Sequence, residues 1–255
     1  PMGSSSNLDI CYGNIVRPQT IEKYIENSDI IINLVGVLHE SGGESYFDSH
    51  VTGIKNIAEL SSKYDVDELL HVSSIGADIN SDSKYQVSKA LGEEYIREIL
   101  PSATILRPSI VFGPGDGFFT VQSKLAKSLP IVPLFSNNKY QCVYVADIAT
   151  ALIKIIEAND TPGKTFEFGG PDIFTLKEIY QLILKSLNIK RLILPVPLSF
   201  ANFAALVMKP LPNPLITFDQ VKLLKKDNVI TSQEYTLVSL GIQPKSARDI
   251  VPTYL

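Results

Sequence analysis

Asp29–Gly36 reads DIIINLVG, a continuous β-branched run closed by a glycine, and it decides the fold. A strand that alternates apolar and polar residues keeps one face in water; this one has no polar face, so it is buried on both sides, as in a parallel sheet. Working outward, Glu68–Ser73 (ELLHVS) and Ala103–Arg107 repeat the pattern. The spacing predicts helices between them, near Tyr46–Tyr64 and over Lys84–Leu100, with a shorter one at Thr20–Asn27 and a short strand at Leu8–Cys11. Strands alternating with helices of this length form βαβ units, so the fold class is α/β, a doubly wound parallel sheet.

From Gly113 onward prolines become denser and the alternation loosens. The division expected is 1–112 as the core and 113–255 as a mixed C-terminal lobe whose strands and helices return to it. That lobe holds a strand at Gln141–Val145, a helix over Ile148–Glu157 capped by Asp147, and a strand at Thr165–Phe168. A capping box at Thr175–Glu178 starts a helix through Ser186. Pro195, Pro197, Pro210, Pro212 and Pro214 bracket one apolar helix, Leu198–Met208.

Composition narrows the function. The 255 residues are 45% hydrophobic with a net charge of −4, enough apolar surface for a large core and no basic face for nucleic acid. No apolar run is long enough to span a bilayer. Three scattered histidines and two distant cysteines give no metal site. Cys11 and Cys142 are expected to be buried, reduced thiols.

The chemistry concentrates at Tyr85-Gln86-Val87-Ser88-Lys89, preceded by Ser73-Ser74 at a strand end. Tyr85 and Lys89 stand four residues apart and share a helix face. An ammonium beside a phenol favours phenolate and lowers its pKa, making the tyrosine an acid/base for hydroxyl–carbonyl interconversion, with Ser74 orienting the substrate oxygen. Taken alone the pair is equally compatible with a half-buried tyrosine and a lysine whose stem lies along apolar surface.

The order of the motifs goes further. Asn33-Leu34-Val35-Gly36, the Ser74/Tyr85/Lys89 set, Leu106–Pro114 (LRPSIVFGP), Val143–Asp147 (VYVAD) and Leu240–Pro244 (LGIQP) together resemble the extended and atypical short-chain dehydrogenase/reductases from about Asn7 to the C-terminus. Val37-Leu38, His50-Val51, the short Ser74–Tyr85 spacing, Pro133-Leu134 and Thr217–Val229 narrow the resemblance to the Rossmann-type accessory subunits of respiratory complex I and their bacterial relatives.

The resemblance implies a Rossmann-like sheet and NADP(H) or NAD(H) as cofactor. Asn14 and Ile15 would contact adenine, Leu34, Val35 and Gly36 would line the adenosine half, Lys89 would hold ribose, and Pro108, Ser109 and Ile110 would back the nicotinamide. It implies a nucleotide-binding accessory or assembly subunit of NADH:ubiquinone oxidoreductase with other complex I subunits as partners. The alternative is an active reductase or epimerase with a small-molecule or nucleotide-linked substrate. The location implied is cytoplasmic or peripheral at the inner membrane, on the matrix side in a eukaryote.

The sequence departs from the family in two ways. A GxxGxxG loop, whose backbone N–H groups would cradle a pyrophosphate, is absent, and a preceding βαβ portion of roughly 45–50 residues is expected. The loop between Ser74 and Tyr85 is shorter than in sugar-nucleotide enzymes, which implies a different or smaller substrate, or none.

Overall fold

The computed structural model describes residues 7–40, 42–158, 160–209, 211, 214 and 216–255. A single helical turn, α1 (Glu22–Ile25), leads to β1 (Ile30–Asn33). A π-helical stretch at Asp48–Thr52 runs straight into α2 (Gly53–Lys63), followed by β2 (Glu68–Val72), α3 (Lys84–Ile99) and β3 (Thr104–Pro108). Next come β4 (Val111–Phe112), α4 (Phe119–Ser128), β5 (Ile131–Leu134), β6 (Lys139–Tyr140), β7 (Val143–Tyr144), α5 (Val145–Glu157) and β8 (Thr165–Phe168). The C-terminal part holds β9 (Phe174–Thr175), α6 (Leu176–Ser186), β10 (Leu192–Pro195), α7 (Leu198–Met208), α8 (Phe218–Leu223) and α9 (Ala247–Ile250).

The main sheet is parallel in the order β1-β2-β3-β8, with Ile32 opposite Leu70, Leu70 opposite Thr104 and Leu106 opposite Phe166. Successive side chains of a strand face opposite ways, and β2 shows what that achieves. Leu69 packs on Ile54, Ile57 and Ala58 of α2 and Ile96 of α3, whereas Leu70 packs with Leu106, Phe166 and Ile148, Ala151 and Ile155 of α5. Helices therefore cover both faces, the doubly wound arrangement that the uninterrupted strands demanded. A second cluster around Phe112, Phe119, Phe174 and Ile179 joins α4, α6 and the short strands.

One ion network ties α3 to the sheet. Arg107 on β3 holds Glu93 of α3 through Nε at 3.0 and 3.1 Å and Nη2 at 2.5 Å, and its Nη1 lies 3.8 Å from Glu167 of β8. Glu167 in turn accepts from the backbone N–H groups of Thr231 and Ser232.

Three expectations need correction. Leu8–Cys11 is not a strand: no described strand pairs with it, its backbone groups have no ladder, and Ile10 and Tyr12 stand exposed. Cys11 is consequently exposed while Cys142 is buried. Asp147 is not a helix cap, because α5 starts two residues earlier; its buried carboxylate accepts from Lys245 N at 2.8 Å and pins the C-terminal loop. Pro210 and Pro212 lie outside the described residues.

β1 stops early because Asn33 Oδ1 accepts from Val35 N, a side-chain turn that competes with the ladder. It forms the sheet edge, with Ile30, Ile32, Leu34 and Val35 exposed, so the burial on both sides expected of Asp29–Gly36 is not met: among the described residues no strand lies beyond β1 to shield it. Among the described residues no helix is long and apolar enough to cross a membrane. On α7 the small Ala201 and Ala205 face inward while Phe200, Phe203, Leu206 and Val207 are exposed.

Candidate functional site

The loop after β2 carries Ser73 and Ser74 along the C-terminal edge of the sheet, where Ser73 N donates to Leu106 O and Ile75 N to Pro108 O. Gly76 follows at φ +84°, a left-handed conformation that suits glycine, and a Cβ there would meet Gln86 Nε2 at 2.4 Å. Gln86 Oε1 also accepts from Ser81 Oγ at 2.6 Å, so the loop is buckled onto the first turn of α3. This brings Ser74 against Tyr85.

Tyr85 meets Tyr46 and His50 edge-on at ring separations of 5.8 and 5.5 Å, while those two rings stack on each other at 5.7 Å. Burial raises its phenol pKa, and the neighbouring Ser74 hydroxyl opposes the rise. Lys89 is only 4% exposed, and its Nζ donates to Val72 O at 3.3 Å. Burial lowers its pKa to about 8, with Glu93 pulling the other way. The expected drop in the tyrosine pKa is therefore not what the structure shows. Desolvation acts on both groups and pushes each toward its neutral form.

Gly36 completes this group. A Cβ on it would stand 3.2 Å from both Lys89 Nζ and His50 Nε2, so a side chain here would press on both. Two buried histidines back the site, and the donors around them define their tautomers. Val37 N donates to His50 Nε2 at 3.0 Å, so the ring proton sits on Nδ1 and goes to Ser88 Oγ at 2.9 Å. Ser88 Oγ passes a hydrogen bond to Tyr85 O at 2.8 Å. Asn33, its Oδ1 taken by Val35, donates to His71 Nδ1 at 3.0 Å, leaving the proton of His71 on Nε2 without an acceptor. Burial lowers the pKa of His50 to about 3 and that of His71 well below the ordinary value, with the Lys89 charge second in both. Sequence spacing gave His71 no partner; its register opposite Asn33 supplies one.

The other expected residues divide. Leu34 and Val35 stand exposed just beyond β1, beside Gly36 in the chain. Pro108 and Ser109 are buried, but the polar atoms of the segment are occupied: Ser109 Oγ donates to Asn228 Oδ1 at 2.6 Å and Ile110 N to the same oxygen at 3.2 Å. Asn228 was not singled out from sequence, and no local pattern would reveal it. Asn14 and Ile15 form a turn of their own. Asn14 Oδ1 accepts from Val16 N, Ile15 O accepts from Asn56 Nδ2, and the Ile15 side chain fills the space beside Gly53. The described contacts of this turn do not reach the Tyr85 group.

A cleft of about 320 Å³ opens between the loop at Glu40 and Gly42 and the α7–α8 region, where Ala205, Lys209, Thr217 and Phe218 line it. Ser74, Tyr85 and Lys89 are not among its walls. Among the described residues no cluster of metal-ligating side chains occurs.

The sequence and the fold have counterparts in known proteins. The family model described as NAD dependent epimerase/dehydratase family matches residues 2–169. The chain belongs to that family. It is similar to the mitochondrial NADH-ubiquinone oxidoreductase 40 kDa subunit of Neurospora crassa, 34% identical over 241 residues, which are 93% of this chain and 63% of that protein. It is also similar to the mitochondrial NADH dehydrogenase [ubiquinone] 1 alpha subcomplex subunit 9 of Dictyostelium discoideum, 33% identical over 88% of this chain and 64% of the relative. The chain thus spans under two thirds of the length of these relatives. Among solved structures, MoeE5 in complex with UDP-glucuronic acid and NAD superposes with a TM-score of 0.74 at 14% identity, covering 99% of this chain and 86% of that one. That likeness is one of fold.

Proposed function

We propose that this chain is a nucleotide-holding accessory subunit of NADH:ubiquinone oxidoreductase, with the Gly36–Ser74–Tyr85–Lys89 group as its grip on NADP(H) or NAD(H). The observation that carries the reading is the identity of about one third, across nine tenths of the chain, to proteins named as subunits of that complex. The site's chemistry fits a bound dinucleotide. The Ser73 hydroxyl is buried without a partner, the Ser74 hydroxyl faces only the Tyr85 phenol, and Lys89 has three protons for one long hydrogen bond. Unfilled donors in a buried place are costly unless something else fills them. Lys89 would hold the ribose diol, Ser74 and Tyr85 the nicotinamide end, and Leu34–Gly36 the adenosine side. The described residues supply no glycine loop for the pyrophosphate.

A bound dinucleotide supplies hydride donor or acceptor chemistry, and burial favours the protonated Tyr85 phenol while lowering Lys89 to about 8. Nucleotide that binds only the folded chain stabilises it, by about 2.7 kcal/mol at a hundredfold excess over Kd. As an accessory subunit the protein would sit peripherally at the inner membrane, on the matrix side in a eukaryote, against other subunits of the complex.

The test is native electrophoresis of membranes gently solubilised from cells making the tagged full-length protein. Co-migration with NADH:ubiquinone oxidoreductase activity is expected; migration at the protein's own size contradicts the assignment. The close approach of Ser74 to Tyr85 favours a second reading, an active reductase or epimerase. Substrate-dependent NADPH turnover abolished by Tyr85→Phe would establish it.

A further inference from the structure

The helix that carries Tyr85 and Lys89 begins with four backbone N–H groups that have no partner inside it. Accounting for them shows where the helix is held. Ser83 N donates to Ser81 Oγ at 3.1 Å, and Gln86 N reaches Ser83 Oγ only at 3.4 Å. The two between are satisfied from far along the chain: Lys84 N donates to Asp219 Oδ1 at 2.8 Å and Tyr85 N to Asp219 Oδ2 at 3.1 Å. Ser83 Oγ adds a third bond to Asp219 Oδ2 at 2.7 Å.

Asp219 is the second residue of α8, whose own start is closed by a capping box between Thr217 and Gln220. Lys222, one turn on, donates to Asp82 O at 2.7 Å, so α8 holds this corner at two points. An anionic carboxylate at the positive end of a helix is favourable in itself. Ser83, the N-cap residue, donates its hydroxyl proton to Asp219 and accepts from Gln86 N at 3.4 Å, so the two caps act together. Thr217 and Phe218, just before Asp219, line the α7–α8 cleft.

We propose that Asp219 is a positioning residue for the nucleotide site: by fixing the first turn of α3 it sets where Tyr85 and Lys89 stand, so ligand affinity depends on a carboxylate already filled by three donors of that helix. The affinity half of this statement rests on the nucleotide reading above; the structural half does not.

The experiment uses the full-length protein as wild type, Asp219→Ala, Asp219→Asn and Lys226→Ala, measuring backbone amide exchange by NMR and NADPH binding by titration. In Asp219→Ala the Lys84 and Tyr85 amides should exchange about tenfold faster while Leu70 and Leu106 in the central strands keep their rates, a local opening. NADPH Kd should rise about fivefold, in line with the loss of one helix cap. Asp219→Asn, which keeps one acceptor oxygen, should fall between, and it carries the test if the alanine variant does not fold. Lys226→Ala, which removes an exposed ion pair with Asp78, should change neither quantity.

Unchanged exchange at Lys84 and Tyr85 overturns the proposal, as does equal acceleration throughout the central strands. Freed amides with an unaltered Kd overturn it too. If wild type binds neither NADPH nor NADH, the nucleotide reading fails and the affinity half with it, while exchange still decides whether Asp219 holds the helix.

Discussion

Lys89 and Glu93 lie one turn apart on the same face of α3, both almost fully buried, and their surroundings are opposite. Glu93 is gripped by Arg107 through three contacts of 2.5–3.1 Å, and the same arginine approaches Glu167, itself bonded to Thr231 and Ser232. Around Lys89 little is paired: one long bond to Val72, the idle Ser73 hydroxyl and a histidine N–H without an acceptor. Saturated polar groups hold the scaffold together. Groups left unsatisfied beside them are what a binding site looks like before its ligand arrives.

The two regions should therefore answer mutation in opposite ways. Arg107→Ala strands the buried Glu93 carboxylate and should cost about 3 kcal/mol, the low end for a broken buried pair because the arginine keeps some contact with water. Urea denaturation would check this, and a loss below about 1 kcal/mol would deny the network its structural role.

Acid should strike the underpaired side. An unfolded histidine takes up a proton near pH 6.5, whereas folded His50 does so only near 3, held down first by burial and then by Lys89. Between those values unfolding consumes a proton, so stability falls with falling pH by up to about 1.4 kcal/mol per unit for His50, and His71 adds in the same direction. Denaturation midpoints of wild type and His50→Asn at pH 7 and 5 should converge as the pH drops.

Lys89→Met exchanges a buried, poorly paired ammonium for an apolar chain of similar shape. It should leave stability unchanged or raise it by about 1 kcal/mol at neutral pH, while losing nucleotide affinity. The advantage should shrink in alkali: wild type gains stability from about pH 8, the Lys89 value in the fold, toward the ordinary lysine value, because there only the unfolded chain carries the proton. The smallest effect belongs to Lys226→Ala, whose exposed pair with Asp78 at 3.6 Å should contribute under about 0.5 kcal/mol.

These contrasts also separate what was legible in the sequence from what was not. α6 starts at the expected Thr175–Glu178 capping box, α3 starts at the expected Lys84, and β8 spans the expected Thr165–Phe168, because caps and apolar runs are local signals. The Ser74–Tyr85–Lys89 grouping was legible for the same reason: two of its members share a helix face and the third ends the neighbouring strand. Leu8–Cys11 misled, since extended residues become a strand only with a neighbour to pair with. The sign of the tyrosine shift misled as well, because an ammonium four residues away was read without the desolvation that burial imposes on both groups. Asp219, Asn228 and the Asn33–His71 pair were out of reach, their partners lying 38 to 136 residues distant with no repeating pattern to mark them.

The most direct measurement of the central claim is titration of the full-length protein with NADPH, followed by nicotinamide fluorescence, for wild type and Lys89→Met. The chain contains no tryptophan to compete with that signal. Saturable binding by wild type, weakened at least about tenfold in a variant that is no less stable, is the predicted result. Equal affinity in both proteins would contradict it, and Lys89 would then be a packing residue of a scaffold that holds no nucleotide there.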